Sequence, residues 1–147
     1  MTFHESIQKL KEIILFLPEK LTLISLDEFS FRKTHSAWSK KEILGHLVDS
    51  AHYNHERFIQ AQFIAKPYIS YNQNACVQYN FYQSCNLENL ILLWLSYNRH
   101  LLHIMDTIDD AILRLPIQME EHVILTFEET FISYVQHVEH HVNQILN

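Results

Sequence analysis

The chain of 147 residues contains a single glycine. One glycine cannot build a G-x-G-x-x-G turn or a Walker-type loop, so the glycine cradles that hold phosphates are excluded. Tight β-hairpin turns, which lean on glycine, are expected to be few. Only two cysteines occur, Cys76 and Cys85, nine positions apart. That spacing fits neither a C-x-x-C redox or zinc pair nor a disulfide framework. No stretch approaches the ~20 apolar residues of a membrane span. Basic runs are also missing: 11 Lys and Arg against 17 Asp and Glu leave a formal charge of −6. A nucleic-acid partner is therefore not expected, nor a membrane. The opening MTFHESIQKL is amphipathic and carries no signal-peptide pattern, which points to a soluble, reducing, cytoplasmic setting.

What remains is apolar and rich in histidine. Hydrophobic residues make up 48% of the chain, enough for one core, so residues 1–147 are read as one domain. Histidine occurs 11 times, a reason to look for a metal.

The apolar positions recur at three and four, the period of a helix face, in four stretches. The first runs from Phe3 through Ile7, Leu10 and Ile14 to Leu17, with Pro18 expected to end it. The second opens on a capping box, Ser39-Lys40-Lys41-Glu42, and continues through Ile43, Leu47, Ala51 and Phe58 to a stop before Pro67. The third runs from about Asn86 to Asp109. The fourth opens on a second capping box, Thr126-Phe127-Glu128-Glu129, and carries Phe131, Tyr134, Val138, His141 and Ile145 on one stripe. Helices of roughly 15 to 25 residues in this number predict an all-α, four-helix bundle. Two connections are long. Residues 18–38 hold a short apolar piece, and residues 65–86 are polar and aromatic, the composition of a crossover, lid or binding loop.

His137 and His141 form an i, i+4 pair, both rings on one side of the fourth helix about one turn apart. That spacing suits a metal chelate, and a third inward histidine would leave one coordination position open. His46, beside the apolar stripe of the second helix, is the candidate. The plain alternative stands beside it: an i, i+4 pair that binds nothing, and a buried His46 with a backbone partner. The i, i+3 pairs His52 with His55 and His100 with His103 are further ligand candidates. His46 lies seven residues past Ser39, ~10 Å from its helix start, and His141 lies six residues from the chain end, ~9 Å from its helix finish. The three rings can meet only if the second and fourth helices run antiparallel. That requires an up-down-down-up order with a long crossover between helices two and three, and residues 65–86 are long enough to make it.

Two segments carry a resemblance. Trp38-Ser39-Lys40-Lys41-Glu42-Ile43-Leu44-Gly45-His46-Leu47-Val48-Asp49-Ser50 resembles the W-S-x-x-E-x-x-x-H-L-x-D-S signature of the DinB/YfiT-like family. His137-Val138-Glu139-His140-His141-Val142-Asn143-Gln144-Ile145 resembles its closing H-x-x-H-H-x-x-Q-I motif. The resemblance implies an up-down-down-up bundle with a divalent metal, zinc or nickel, with iron or manganese as alternatives, on His46, His137 and His141. It also implies a homodimer, a small-molecule substrate and, in some members, a low-molecular-weight thiol. The family shares no nucleophile or base that matches a residue here.

Asp49 and Gln144 each follow a ligand candidate by three residues and are candidates to hydrogen-bond its second ring nitrogen; the alternative, a solvated polar residue, stands level for Gln144 and ahead for Asp49. Gly45, costing roughly 1 kcal/mol in a helix interior, suggests close packing beside His46. Trp38 reads as a hydrophobic staple onto Ile43 or as a surface for substrate. Tyr79, Phe81 and Tyr82 read as packing residues or as a pocket wall. The chemistry expected is a divalent ion that lowers the pKa of a water or thiol for attack on a small electrophile, in a hydrolase or a thiol transferase. The competing reading is a bundle without turnover, a metal-binding, stress-response or dimeric structural module, with a fourth ligand such as His100 or His103 filling the site.

Overall fold

Three side chains set the starts of the long helices that carry the bundle's first, second and last members. In the computed structural model, which describes residues 1–147, Thr2, Ser39 and Thr126 each close a reciprocal capping box with the glutamate three residues on. The helices that follow are α1 (Phe3–Thr22), then a short α2 (Leu26–Ser30), α3 (Lys40–Gln60), a short α4 (Gln73–Tyr79), α5 (Leu87–Thr107) and α6 (Phe127–Leu146). Asn86 caps α5 through its side-chain oxygen. No helix is long and apolar enough to cross a membrane.

Side-chain pairs fix the directions of the four long helices. Phe3 meets Phe131 and Lys9 meets Glu139, so α1 and α6 run the same way. His46 meets His141 while Phe58 meets Phe127, so α3 and α6 run opposite ways. His52 meets Tyr97 and His55 meets His100, so α3 and α5 are parallel. The order is up-down-down-up, and the crossover it needs is residues 61–86. Trp94, Phe58, Phe127 and Phe131 are fully buried at the centre.

Three local expectations are corrected. Pro18 does not end α1, which continues to Thr22. Leu21 extends the buried stripe past it, and burying that leucine, at about 1.5–3 kcal/mol, offsets much of the ~3 kcal/mol penalty of an interior proline. The crossover is not plain loop, for it holds α4 and a 3₁₀ turn at Tyr82–Ser84. Between α5 and α6 lies an antiparallel hairpin, β1 (Pro116–Glu120) and β2 (Val123–Thr126), turning without glycine and bulged between Gln118 and Glu120. Its Ile117 is fully buried, and Gln118 N–H donates to Pro67 C=O at 3.0 Å, tying the crossover to the hairpin.

Candidate metal centre

The start of α3 is anchored before it delivers a ring. Glu42 of the capping box is buried and receives two bonds from Arg32, at 2.8 and 2.9 Å, which straps the 31–39 segment onto the helix. Gln83 of the crossover meets the Ser39 hydroxyl and donates to the Ser30 carbonyl. One turn further on, Tyr82 lies on Gly45, and its hydroxyl donates to Asp49 at 2.6 Å. Everything around His46 is thereby held from both sides.

Three imidazoles converge between α3 and α6. His46 Nε2 and His137 Nε2 are 3.0 Å apart, and ring centroids of His46, His137 and His141 are separated by 4.5 to 4.9 Å. One nitrogen from each lies within 4.8 Å of the others. The i, i+4 spacing on α6 and the antiparallel run of α3 produce this convergence.

The electrostatics keep the rings neutral. Burial holds the His46 imidazole down to about 3, with His137 and His141 facing it as the added cause. His137 is held at about 4 by burial and by His141. Burial also lowers His141. Gln144 Oε1 faces His141 Nδ1 at 2.7 Å, so that nitrogen carries the hydrogen and Nε2 keeps the lone pair. Ser50 Oγ stands 3.4 Å from His137 Nδ1, placed to do the same. The result is three neutral rings whose Nε2 or Nδ1 atoms crowd one small volume, while His46 Nδ1 is buried without a partner of its own.

The donor set fits a divalent ion. Four-coordinate zinc at 2.0–2.1 Å from each ligand separates ligand nitrogens by about 3.3–3.4 Å. The observed 3.0 Å pair and the 4.8 Å outer limit bracket that value. Imidazole suits zinc, copper, iron and nickel.

A groove opens beside the rings. A cavity of about 830 Å³ is lined by His141, Gln144, Trp38, Ile43 and Lys33 among others. Ser36, Trp38 and Asn74 also line a neighbouring cavity of about 580 Å³ that reaches Tyr82 and Phe81. The two adjoin at those three residues.

No family model matches the sequence, and no curated protein matches it. Solved structures do. YfiT from Bacillus subtilis, described as a probable metal-dependent hydrolase with an unusual four-helix bundle topology, superposes with a TM-score of 0.88 at 19% identity. The match covers 97% of this chain and 83% of YfiT. The chain has the YfiT-like fold. A mycothiol-dependent maleylpyruvate isomerase superposes with a TM-score of 0.80 at 16% identity, covering 99% of this chain and 63% of the isomerase. At these identities the fold is what is shared.

Within the YfiT-like bundle the residues singled out in the sequence fall into two groups. His46, His137, His141 and Gln144 come together. Asp49 does not touch a histidine: its Oδ1 accepts from Tyr82 and from Asn80, and its other oxygen is buried without a partner. Burial raises its pKa. Asp49 tethers the crossover to α3 instead. Trp38 is half-buried, with its ring centroid 4.9 Å from that of His46. Tyr82 and Phe81 line the groove, whereas Tyr79 is exposed. His100 and His103 lie with His55 on another face, so neither supplies a fourth ligand. The Arg32–Glu42 pair and Gln83 were invisible in the sequence, because nothing in a motif marks partners ten or 44 positions apart.

Proposed function

We propose that the chain is a metal-dependent enzyme acting on a small molecule, with His46, His137 and His141 as the ligands of a divalent ion, zinc or nickel, or iron or manganese. The observation that carries the reading is the convergence of three neutral imidazoles at the edge of an open groove. A divalent ion there supplies Lewis acidity and lowers the pKa of a water or thiol in its open position. The chain's own residues do the rest. Gln144 and Ser50 fix the ring tautomers. Trp38 packs on His46, keeps water from one side of that ring and offers its indole to the groove. The groove has room for both a thiol and an electrophile, which supports either hydrolysis or thiol transfer. The names of the two structural neighbours, one hydrolytic and one thiol-dependent, support the same pair. The absence of a fourth protein ligand within the histidine cluster favours the enzyme over the module without turnover.

A homodimer and a cytoplasmic setting belong to the same proposal. Leu15 and Leu23 on and after α1 and Leu92 and Leu93 on α5 are exposed and offer apolar surface to a second copy. Both cysteines are free, as in a reducing compartment.

The test is metal analysis of protein purified without chelators, followed by a screen for hydrolysis and for transfer of several low-molecular-weight thiols. About one tightly held ion per chain is expected, lost in His137→Ala. Substoichiometric metal in the wild type, or unchanged binding in His137→Ala, overturns the reading.

A further inference from the structure

A second group of imidazoles lies on the face formed by α3 and α5. His55 follows His46 by nine residues, about 13.5 Å along the helix, so it belongs to a different level of the bundle. Its ring centroid is 5.4 Å from that of His100 on α5, and His100 is 6.0 Å from His103, about one turn on.

Two imidazoles sharing one tetrahedral ion at 2.0–2.1 Å have ring centroids about 5 Å apart. The three-histidine centre shows 4.5 to 4.9 Å on the same measure. The His55–His100 pair has nearly that centroid spacing and spans two helices, although the donor nitrogens of this trio are not gathered as those of His46, His137 and His141 are. His100 and His103 share a face of α5, and both are exposed, so their rings can turn toward a common point without moving the core. None of the three rings has a hydrogen bond or an ion pair within the chain. Their neighbour His52 is engaged instead: its Nδ1 lies 3.0 Å from the Tyr97 hydroxyl and its Nε2 3.8 Å from Glu56. Burial, with His100 and His52 nearby, lowers the pKa of His55, which favours the neutral form a metal ligand needs.

We propose that His55, His100 and His103 form a second divalent-metal site that clasps α3 to α5 on the outside of the bundle. Nitrogen donors and open water positions suit a borderline ion such as zinc, copper or nickel. With two exposed ligands and no enclosing wall, it binds more weakly than the three-histidine centre. It does not depend on that centre being catalytic.

Zinc binding to metal-stripped protein by equilibrium dialysis tests the site. The wild type is expected to show a tighter and a weaker class. The double variant His137→Gln, His141→Gln is expected to keep the weaker class. The double variant His55→Gln, His100→Gln is expected to keep the tighter class and to lose affinity in the weaker by at least the roughly 10- to 100-fold typical of a lost supporting partner. Zinc raises the unfolding temperature of the first double variant and, at the same concentration, not that of a variant lacking both sets. No zinc on the His137→Gln, His141→Gln protein overturns the proposal, as does a weaker class untouched in His55→Gln, His100→Gln. Zinc held only in a dimer joined through these rings overturns it too. A wild type with the weaker class alone would sink the three-histidine reading and leave this site standing.

Discussion

The ring of Tyr82 occupies the space that a side chain at Gly45 would need. A β-carbon built on residue 45 would overlap the ring at Cγ and Cδ2. The same tyrosine donates to Asp49, so one residue of the crossover grips α3 at two points a turn apart. Gly45→Ala ought to gain about 1 kcal/mol of helix propensity. Displacing the Tyr82 ring costs about 1–3 kcal/mol and strands the buried Asp49 carboxyl. Net destabilisation in urea unfolding is the expected result; a more stable Gly45→Ala protein would show that the crossover yields freely.

That grip marks the boundary of what was legible in the sequence. Gly45 signalled a close neighbour, because a helix keeps an interior glycine at a cost only where space demands it. Nothing identified the neighbour as Tyr82, 37 positions away. The helices and their starts were readable since Ser39, Thr126 and the apolar spacing act locally. The helix order was readable from a single demand, that His46 meet His141. Asp49 was misplaced because its spacing from His46 fits a helical partner, while its actual partners arrive from the crossover. The β1–β2 hairpin escaped notice because its turn, at Glu121 and His122, uses neither glycine nor asparagine. Pro18 misled because the burial of Leu21 outweighs a rule about isolated helices.

Phe81, just ahead of Tyr82, adopts a left-handed backbone with φ of 56° and leaves its side chain 68% exposed. That conformation costs a non-glycine residue roughly 1–2 kcal/mol, and the exposed ring recovers little of it. Asparagine tolerates the same backbone better. Phe81→Asn is expected to raise the unfolding temperature by about 2–4 °C per kcal/mol relieved. A lowered unfolding temperature would mean that Phe81 packs usefully over the groove.

Gln144 and Asp49 occupy equivalent places in the sequence, three residues after a histidine, and opposite places in the structure. Gln144 holds the hydrogen on His141 Nδ1, whereas Asp49 holds Tyr82 and Asn80. Gln144→Ala is expected to weaken zinc affinity by about 10- to 100-fold with little change in stability. Asp49→Asn is expected to move stability and leave zinc affinity within a few-fold, as read by competition with a chromophoric chelator. Equal effects on zinc from both would place Asp49 in the centre's support after all.

The lowered histidines give metal-free protein a definite response to acid. An unfolded histidine takes up its proton near pH 6.5, but in the native chain His137 holds off until about 4 and His46 until about 3. Between those limits the unfolded state binds more protons than the native one, so stability rises with pH through the window. The stabilisation is complete above about pH 6.5 and is lost as pH falls toward 4. Asp49, raised by burial, works in the opposite sense above its ordinary value of 3.8, and one carboxyl does not reverse two imidazoles with larger shifts. Zinc competes with the same protons, so saturating metal is expected to carry the acid limb to lower pH. Unfolding temperatures of metal-free protein at successive pH values from about 7.5 to 4.5 check this. A fall on acidification that flattens in His137→Gln, His141→Gln is expected. A flat wild-type curve would mean that the three rings are solvated and already free to protonate.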